Sequence, residues 1–351
     1  MRICLFCENR YAIGILEPVQ DYVNKTSGDE TLWYVDSRKI KDFPFKDKVT
    51  YTNSMQEVYD WSPEMIICPG NIVPFYLPGV KTCVFHGYAD KKDQFIIRRY
   101  FDIYYTQGPY FTNRFKQLWK RYKDFEVIET GWPRQDWIVE HLHSYDEERQ
   151  AILEKYGKQK IVLYAPTFSP SLTSLPYLKD SLKKLAQEED IVLMCKFHPL
   201  TAQKWLDEYK QLSEEVDNII CVDDFSISKF MFMCDMVISD SSSTIYECLL
   251  LDKPVITYKS IESKNYWCDI KDANELSAAY HDNIERDAYA EKRRWVIENY
   301  DPYLDGRVVE RMLDSARDFI RRHGVPRYRK LNLWRQYTSV KTFGFIKRNK
   351  K

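Results

Sequence analysis

The sequence has no run of 18 apolar residues, so no helix in it is expected to cross a bilayer. The apolar stretch Ile3 to Phe6 is too short for the core of a secretory leader, and charged Glu8 and Arg10 follow at once. Short internal repeats and low-complexity segments are also missing. There are nine cysteines, mostly inside apolar runs, and only one C-x-x-C, Cys4 and Cys7. A strand would point those two thiols to opposite faces, and no second pair completes a zinc site. The cysteines are therefore expected to be reduced core residues of a cytoplasmic protein.

Acid is missing from the end of the chain. Of the 52 Lys and Arg residues, eleven lie between Arg321 and Lys351, where there is no Asp or Glu, so the first 320 residues carry a net −11. Leu331, Trp334 and Tyr337 recur at a spacing of three among Arg327, Arg329, Lys330 and Arg335. Phe343, Phe345 and Ile346 then precede Lys347, Arg348, Lys350 and Lys351. Basic residues interleaved with aromatics fit an anionic membrane surface, at roughly 1 kcal/mol per basic residue near the bilayer. A solvated or self-docking tail is the alternative. No nucleic-acid-binding module accompanies the tail, so nucleic acid is not expected as a partner.

With 351 residues, 44% of them hydrophobic, the chain can bury the cores of two domains of ordinary size. Strand-like segments are predicted at Ile3–Cys7, Thr31–Val35, Met65–Cys68, Thr82–Phe85, Ile103–Tyr105 and Val127–Glu129. Helical segments are predicted near Ile13–Val23, Ser54–Asp60, Gln94–Tyr100 and Tyr110–Tyr122. After a polar stretch, Ser144 to Gln159, the alternation restarts with strands at Ile161–Tyr164, Ile191–Cys195, Ile219–Val222, Met236–Ile238 and Val255–Thr257. Two successive βα arrays predict two doubly wound parallel sheets, whose ligands bind beyond the carboxyl ends of the strands. The expected division is a first domain over residues 1–145, a second over 150–324, with a last helix Val308 to Arg321, and a basic aromatic tail over 325–351.

The strand ends carry the candidate chemistry. Asp240 and the hydroxyl run Ser241, Ser242, Ser243 and Thr244 follow one apolar run and open a helical segment containing Glu247. Hydroxyls, backbone N–H groups and the helix dipole converge there, a setting for phosphate, although capping alone would need a single Ser. Phe85-His86-Gly87 delivers a histidine able to act as a general base, or merely to hydrogen-bond its own turn. Lys196 and His198 stand two residues apart on an extended segment, hence on one face, and could meet a pyrophosphate. Thr167, in Ala165-Pro166-Thr167-Phe168, ends the first strand of the second array and could line a cleft or act as a hinge. Gly131 to Asp136 lies near the junction of the arrays; Arg134 could pair with Asp136 or face a cleft, and pairing is the expected fate of Asp136. Asp305 could cap the last helix or contact a ligand, with capping expected. Asp223-Asp224, the one acidic pair suggestive of a metal, is expected to be a cap, so no metal is expected.

In order and approximate spacing, Phe85-His86-Gly87, Gly131 to Asp136, Ala165 to Phe168, Lys196-Phe197-His198-Pro199, Ser239 to Ser243 and Asp305-Gly306-Arg307 resemble the CDP-glycerol glycerophosphotransferases of teichoic-acid synthesis. The resemblance covers roughly residues 80 to 315. It implies an α/β GT-B fold, two Rossmann-like parallel-sheet domains facing a cleft, an N-terminal one for the acceptor and a C-terminal one for the nucleotide donor. It also implies transfer of a polyol phosphate from a CDP-activated donor to a glycan or lipid-linked acceptor, without cofactor or catalytic metal. His86 matches the family's histidine near the acceptor, and His198 the histidine at the donor pyrophosphate. Ser241 and Ser242 match its hydroxyl pair, Arg134 its Pro-Arg and Asp305 its Asp-Gly. A nucleotide-sugar donor, or a non-catalytic subunit of a surface-polymer assembly complex, is the competing expectation. The expected location is cytoplasmic, peripheral at the inner face of the cell membrane.

Overall fold

The computed structural model describes residues 1–26, 28–88, 97–224, 226–242, 244–262, 264 and 266–347. Its contacts divide the chain into two compact units, Met1–Glu140 with Asn299–Lys351, and His141–Glu298. In the first, β1 (Arg2–Cys7), β2 (Glu30–Val35), β3 (Tyr51–Thr52), β4 (Met65–Cys68), β5 (Val80–Cys83), β6 (Ile103–Thr106) and β7 (Glu126–Glu129) form a sheet in the order β3-β2-β1-β4-β5-β6-β7. In the second, β8 (Lys160–Tyr164), β9 (Ile191–Lys196), β10 (Ile219–Val222), β11 (Met236–Ser239), β12 (Val255–Tyr258) and β13 (Cys268–Ile270) pair as β10-β9-β8-β11-β12-β13. Every pairing is parallel.

Helices cover both faces of such sheets, so central strands are apolar throughout rather than alternating. The four residues of β4 and the six of β9 are all buried. Edge strand β7, with glutamates at both ends, is only half-buried, which suits a sheet margin that must not recruit another strand. β5 begins and ends two residues earlier than the sequence predicts, so Val84, Phe85 and His86 lie beyond it. Ile97–Tyr100, expected to end a helix, is not helical, and residues 94–96 of that expectation lie outside the described residues. The polar stretch after residue 144 holds a helix, Asp146–Tyr156, which ends on Gly157 in the left-handed region.

The chain returns to the first unit sooner than the expected boundary at 324. The helix Val308–His323 buries Val308, Val309, Met312, Leu313 and Ala316. Its contacts belong to the first sheet: the Tyr105 hydroxyl donates to the Met312 carbonyl at 2.8 Å, and Arg311 Nε to the Thr130 carbonyl at 2.9 Å. The tail, expected as a separate body, is docked there too. The Gly79 N–H donates to the Pro326 carbonyl, and Arg329 bonds Asp102 and the Asp124 carbonyl with its guanidinium only 10% exposed. The helix Leu333–Phe343 buries Ser339 and Phe343, the latter edge-on to Phe6 at 5.4 Å.

Gly108 marks how closely the returning chain approaches. A Cβ there would lie 2.6 Å from the Tyr300 carbonyl oxygen and 2.9 Å from that of Asn299, both backbone atoms that cannot swing away. Tyr300 is fully buried and stacks on Tyr110 at 4.9 Å. Gly108→Ala is expected to destabilise the first unit by about 1–3 kcal/mol, the usual cost of overpacking. Urea unfolding followed by tryptophan fluorescence would measure it, and a wild-type midpoint would refute the crowding.

Candidate functional site

Each sheet contains one place where the strand order reverses, between β1 and β4 in the first and between β8 and β11 in the second. The loops leaving those neighbours diverge to opposite faces, which opens a crevice at the carboxyl edge. In the first unit His86 lies against the segments that follow β1 and β4, and in the second Asp240 joins the loops after β8 and β11; Asp136 and Asp305 lie instead at the start of the helix Val308–His323.

In the first unit, His86 is exposed at the tip of the loop after β5. Its Nδ1 lies 3.2 Å from the carbonyl of Pro69, the residue that follows β4. Its ring lies 4.9 Å from that of Tyr11, in the segment after β1. A carbonyl oxygen can only accept, so this contact assigns the proton to Nδ1 and the lone pair to Nε2. That tautomer is the one a base acting through Nε2 requires. The loop is held from several directions: Trp132 Nε1 donates to the Phe85 carbonyl at 2.7 Å, and Gln107 Nε2 to the Gly87 carbonyl at 2.8 Å. Tyr88 is buried and donates its hydroxyl to Asp301 at 2.6 Å.

Asp301 is the functional-region residue that sequence reasoning missed. It also accepts from the backbone N–H groups of Trp132 at 2.9 Å and Tyr303 at 3.2 Å, and Gln135 Nε2 bonds the same Tyr88 hydroxyl at 2.6 Å. Burial pushes its carboxyl up to about 7 despite those donors. The one signal available was the Asp-Pro pair it forms with Pro302, which marks a turn but not its depth.

Nearby, Arg134 lays its guanidinium over Trp137 at 5.5 Å and against the first turn of the helix Ile13–Thr26, where a Cβ on Gly14 would meet its Nη1 at 3.0 Å. Asp136, expected to pair with Arg134, gives its two oxygens to the N–H groups of Val308 and Val309 at 2.9 and 2.8 Å. It is thus the cap of the helix Val308–His323, the role expected of Asp305. Asp305 binds Arg311 Nη1 at 2.7 Å instead, and that guanidinium holds its carboxyl below the usual range.

The second unit is organised by Asp240, which is fully buried. Its carboxylate accepts from Thr167 N at 2.9 and 3.1 Å, from Ser174 N and Oγ at 2.9 Å each, and from Ser241 N at 2.7 Å. It ties the loop after β11 to the loop after β8 and to the start of the helix Leu175–Glu188, where a negative charge is favoured. Asp240 is therefore a positioning residue, and Thr167 enters through its backbone. Ser242 closes the first turn of the helix Thr244–Leu250, accepting from Thr244 N at 3.2 Å and donating to Thr244 Oγ1 at 3.1 Å. Ser241 Oγ accepts from Ile261 N at 3.2 Å, which leaves its own O–H as the donor. Glu247 lies in the first turn of the same helix; Ser243 lies outside the described residues.

The same-face geometry expected of Lys196 and His198 ends with β9 at Lys196. The lysine is buried, and its Nζ turns to the Phe197 carbonyl at 3.1 Å. His198 is exposed and stacks on Phe168 at 4.3 Å. Its Nδ1 accepts from Leu200 N at 3.1 Å, so the proton resides on Nε2, the reverse of His86. Partial burial, and then the charge of Lys196, lower its pKa, which favours the neutral ring. His198 is thereby set up as a hydrogen-bond donor. Asp224, expected to be a cap, accepts from Ser226 N at 3.1 Å, while the N-cap position of the helix Ile227–Met233 is Ser226 itself.

The sequence model of the CDP-glycerol:poly(glycerophosphate) glycerophosphotransferase family matches residues 85–316. Among curated proteins, the chain is 26% identical over 235 residues to the teichoic acid ribitol-phosphate primase of Bacillus spizizenii, covering 60% of this chain and 57% of that one. It is 30% identical over 146 residues to the teichoic acid ribitol-phosphate polymerase TarL of Staphylococcus aureus, covering 39% of this chain and 25% of that one. The chain thus spans only about a quarter to somewhat over half of the length of these relatives. Among solved structures, the wall teichoic acid polymerase TagF superimposes with a TM-score of 0.61 at 16% identity, over 92% of this chain and 89% of that chain. That likeness shows the fold, which is of the GT-B type with two parallel-sheet α/β units.

Asp240→Ala would leave the buried N–H and O–H of Ser174 without an acceptor, at roughly 1–3 kcal/mol each, together with the part-buried N–H groups of Thr167 and Ser241. Urea unfolding should show the second unit melting earlier while the first is unchanged; an unshifted transition would sink the structural role. For Asp301 the folded pKa of about 7 stands above the ordinary 3.8, so between those values the folded chain keeps a proton that the unfolded chain has lost. Stability contributed by this group is full below the lower value, declines as pH rises through the window and levels off above about 7. Between about pH 5 and pH 8, wild type should lose on the order of 2 kcal/mol relative to Asp301→Asn. Parallel pH profiles for the two chains would contradict this.

Proposed function

The chain belongs to the CDP-glycerol:poly(glycerophosphate) glycerophosphotransferase family, and on that premise we propose that it transfers a polyol phosphate, glycerol phosphate or a close relative, from a CDP-activated donor to a hydroxyl of a cell-surface glycan or lipid-linked acceptor. The observation that carries the reading is the contrast in the partners of the two histidines: Nδ1 of His86 meets the Pro69 carbonyl, which suits a base at Nε2, whereas Nδ1 of His198 accepts from Leu200 N, which suits a donor at Nε2. The first unit would hold the acceptor and the second the donor.

In this reading His86 Nε2 takes the proton of the acceptor hydroxyl. The oxygen forms a bond to the phosphorus that bears the polyol, and the bond from that phosphorus to the bridging oxygen breaks. CMP leaves with the electron pair. His198 Nε2–H, Lys196, and the hydroxyls of Ser241, Ser242, Ser243 and Thr244 would stabilise the charge gathering on the pyrophosphate. Arg134 would face the acceptor, while Asp240, Thr167 and Asp305 would act by holding their loops. The reaction would take place in the cytoplasm at the inner face of the cell membrane, a reading that the mostly buried thiols of the chain support.

A donor screen on purified protein tests the reading. CMP should appear from CDP-glycerol or CDP-ribitol in the presence of acceptor, with His86→Ala lowering kcat by roughly 10²–10⁴ and His198→Ala by roughly 10²–10³. Turnover confined to nucleotide sugars would make the protein a glycosyltransferase of the same fold. Product formation unaffected by His86→Ala would make it a binding subunit.

A further inference from the structure

The docked tail leaves one surface that its docking does not account for. The helix Leu333–Phe343 turns Ser339 and Phe343 inward, whereas Leu333 is 83% exposed, Trp334 74% and Tyr337 58%. Phe345, just beyond the helix, is 88% exposed. Trp334 and Tyr337 lie ring to ring at 5.9 Å, so the stripe is continuous. An amphipathic helix that buries a serine and shows a leucine, a tryptophan and a tyrosine to solvent is built for a second apolar phase.

The surroundings identify that phase. At the start of the helix lies a hollow of about 290 Å³ lined by Arg99, Lys330, Leu331, Asn332 and Arg335. Nη1 of Arg335, one of these lining residues, is buried without a hydrogen-bond partner among the described residues. A buried guanidinium N–H without an acceptor is costly, and a phosphate oxygen is its natural partner. At the other end of the stripe an apolar groove of about 330 Å³ runs between Phe75, Tyr76, Val340 and Phe345. From Arg321 to the end of the chain there is no acidic residue to repel an anion.

We propose that this face docks on an anionic bilayer, with Leu333, Trp334, Tyr337 and Phe345 in the interfacial layer and the phosphate of a lipid headgroup in the pocket of Arg99, Lys330 and Arg335. Aromatic rings at headgroup depth and basic residues drawn to a negative surface supply the two attractions that stable peripheral binding needs. The helix lies outside the residues matched by the family model, so the surface belongs to this chain's own tail. The inference deepens the membrane-proximal reading given above and rests on it only for the choice of partner.

The test is co-sedimentation of the full chain with vesicles of phosphatidylcholine alone or mixed with phosphatidylglycerol. Wild type should partition at least about tenfold more strongly onto the mixed vesicles. Trp334→Ser with Phe345→Ser should weaken binding to both kinds about tenfold or more. Lys330→Gln with Arg335→Gln should remove the preference for the anionic lipid, and Lys330→Gln alone, at an exposed position, should reduce it. His86→Ala should bind vesicles as wild type does, so loss of turnover and loss of docking are read separately. Absence of wild-type binding to mixed vesicles, or wild-type binding by both double variants, overturns the proposal. So does saturable binding of soluble glycerol phosphate without vesicle binding. A Trp334-dependent dimer in ultracentrifugation, again without vesicle binding, would overturn it in favour of self-association.

Discussion

A parallel strand cannot reach its neighbour by a tight turn, so every pairing in both sheets needs a crossover, and each sheet grows outward from its first strand in two directions. The strand pairs β1/β4 and β8/β11 are where growth changes direction, so the loops leaving each pair part to opposite faces and open a crevice in each unit. The rest of the molecule depends on how those crevices are bordered. In the first unit His86 reaches the crevice from β5 through the Pro69 carbonyl, and in the second Asp240 reaches that unit's own crevice directly from the end of β11.

Both borders use a buried carboxylate to fix loops that have no regular structure, but in different electrostatic settings. Asp240 sits at a helix start and accepts from four backbone and hydroxyl donors. Asp301 accepts from three donors, and burial pushes its carboxyl up to about 7. The loop carrying His86 is thus held through Tyr88 by a group that titrates near neutrality. The helix Val308–His323 shows the same economy of means: its cap comes from Asp136, far away in the sequence, and not from its own approach segment.

How much of this was legible follows from what pattern can encode. Strands buried on both faces, such as Met65–Cys68 and Ile191–Lys196, stand out as unbroken apolar runs. Tyr51–Thr52 has too few residues for any period, and Cys268–Ile270 contains an aspartate, so neither edge strand could be read. The helix Asp146–Tyr156 buries only Leu153, and its sequence is correspondingly polar. The chemical types at the strand ends were legible, because His86, His198 and the hydroxyl run follow apolar segments. Their hydrogen-bond roles were not: the depth of Asp240 and Asp301 is created by loops that arrive from elsewhere. Amphipathic spacing likewise shows that the helix Val308–His323 has a buried face, but not which sheet receives it.

The return of residues 299–351 to the first unit also bears on synthesis. A ribosome delivers the chain in sequence, and domains fold as their residues emerge. The second unit is one uninterrupted stretch and is complete once Glu298 is out. The first unit, though begun earlier, must wait for Asp301, the helix Val308–His323 and Arg329 before its loops and strand starts find their partners. The half of the protein that is made first is therefore the half that finishes last.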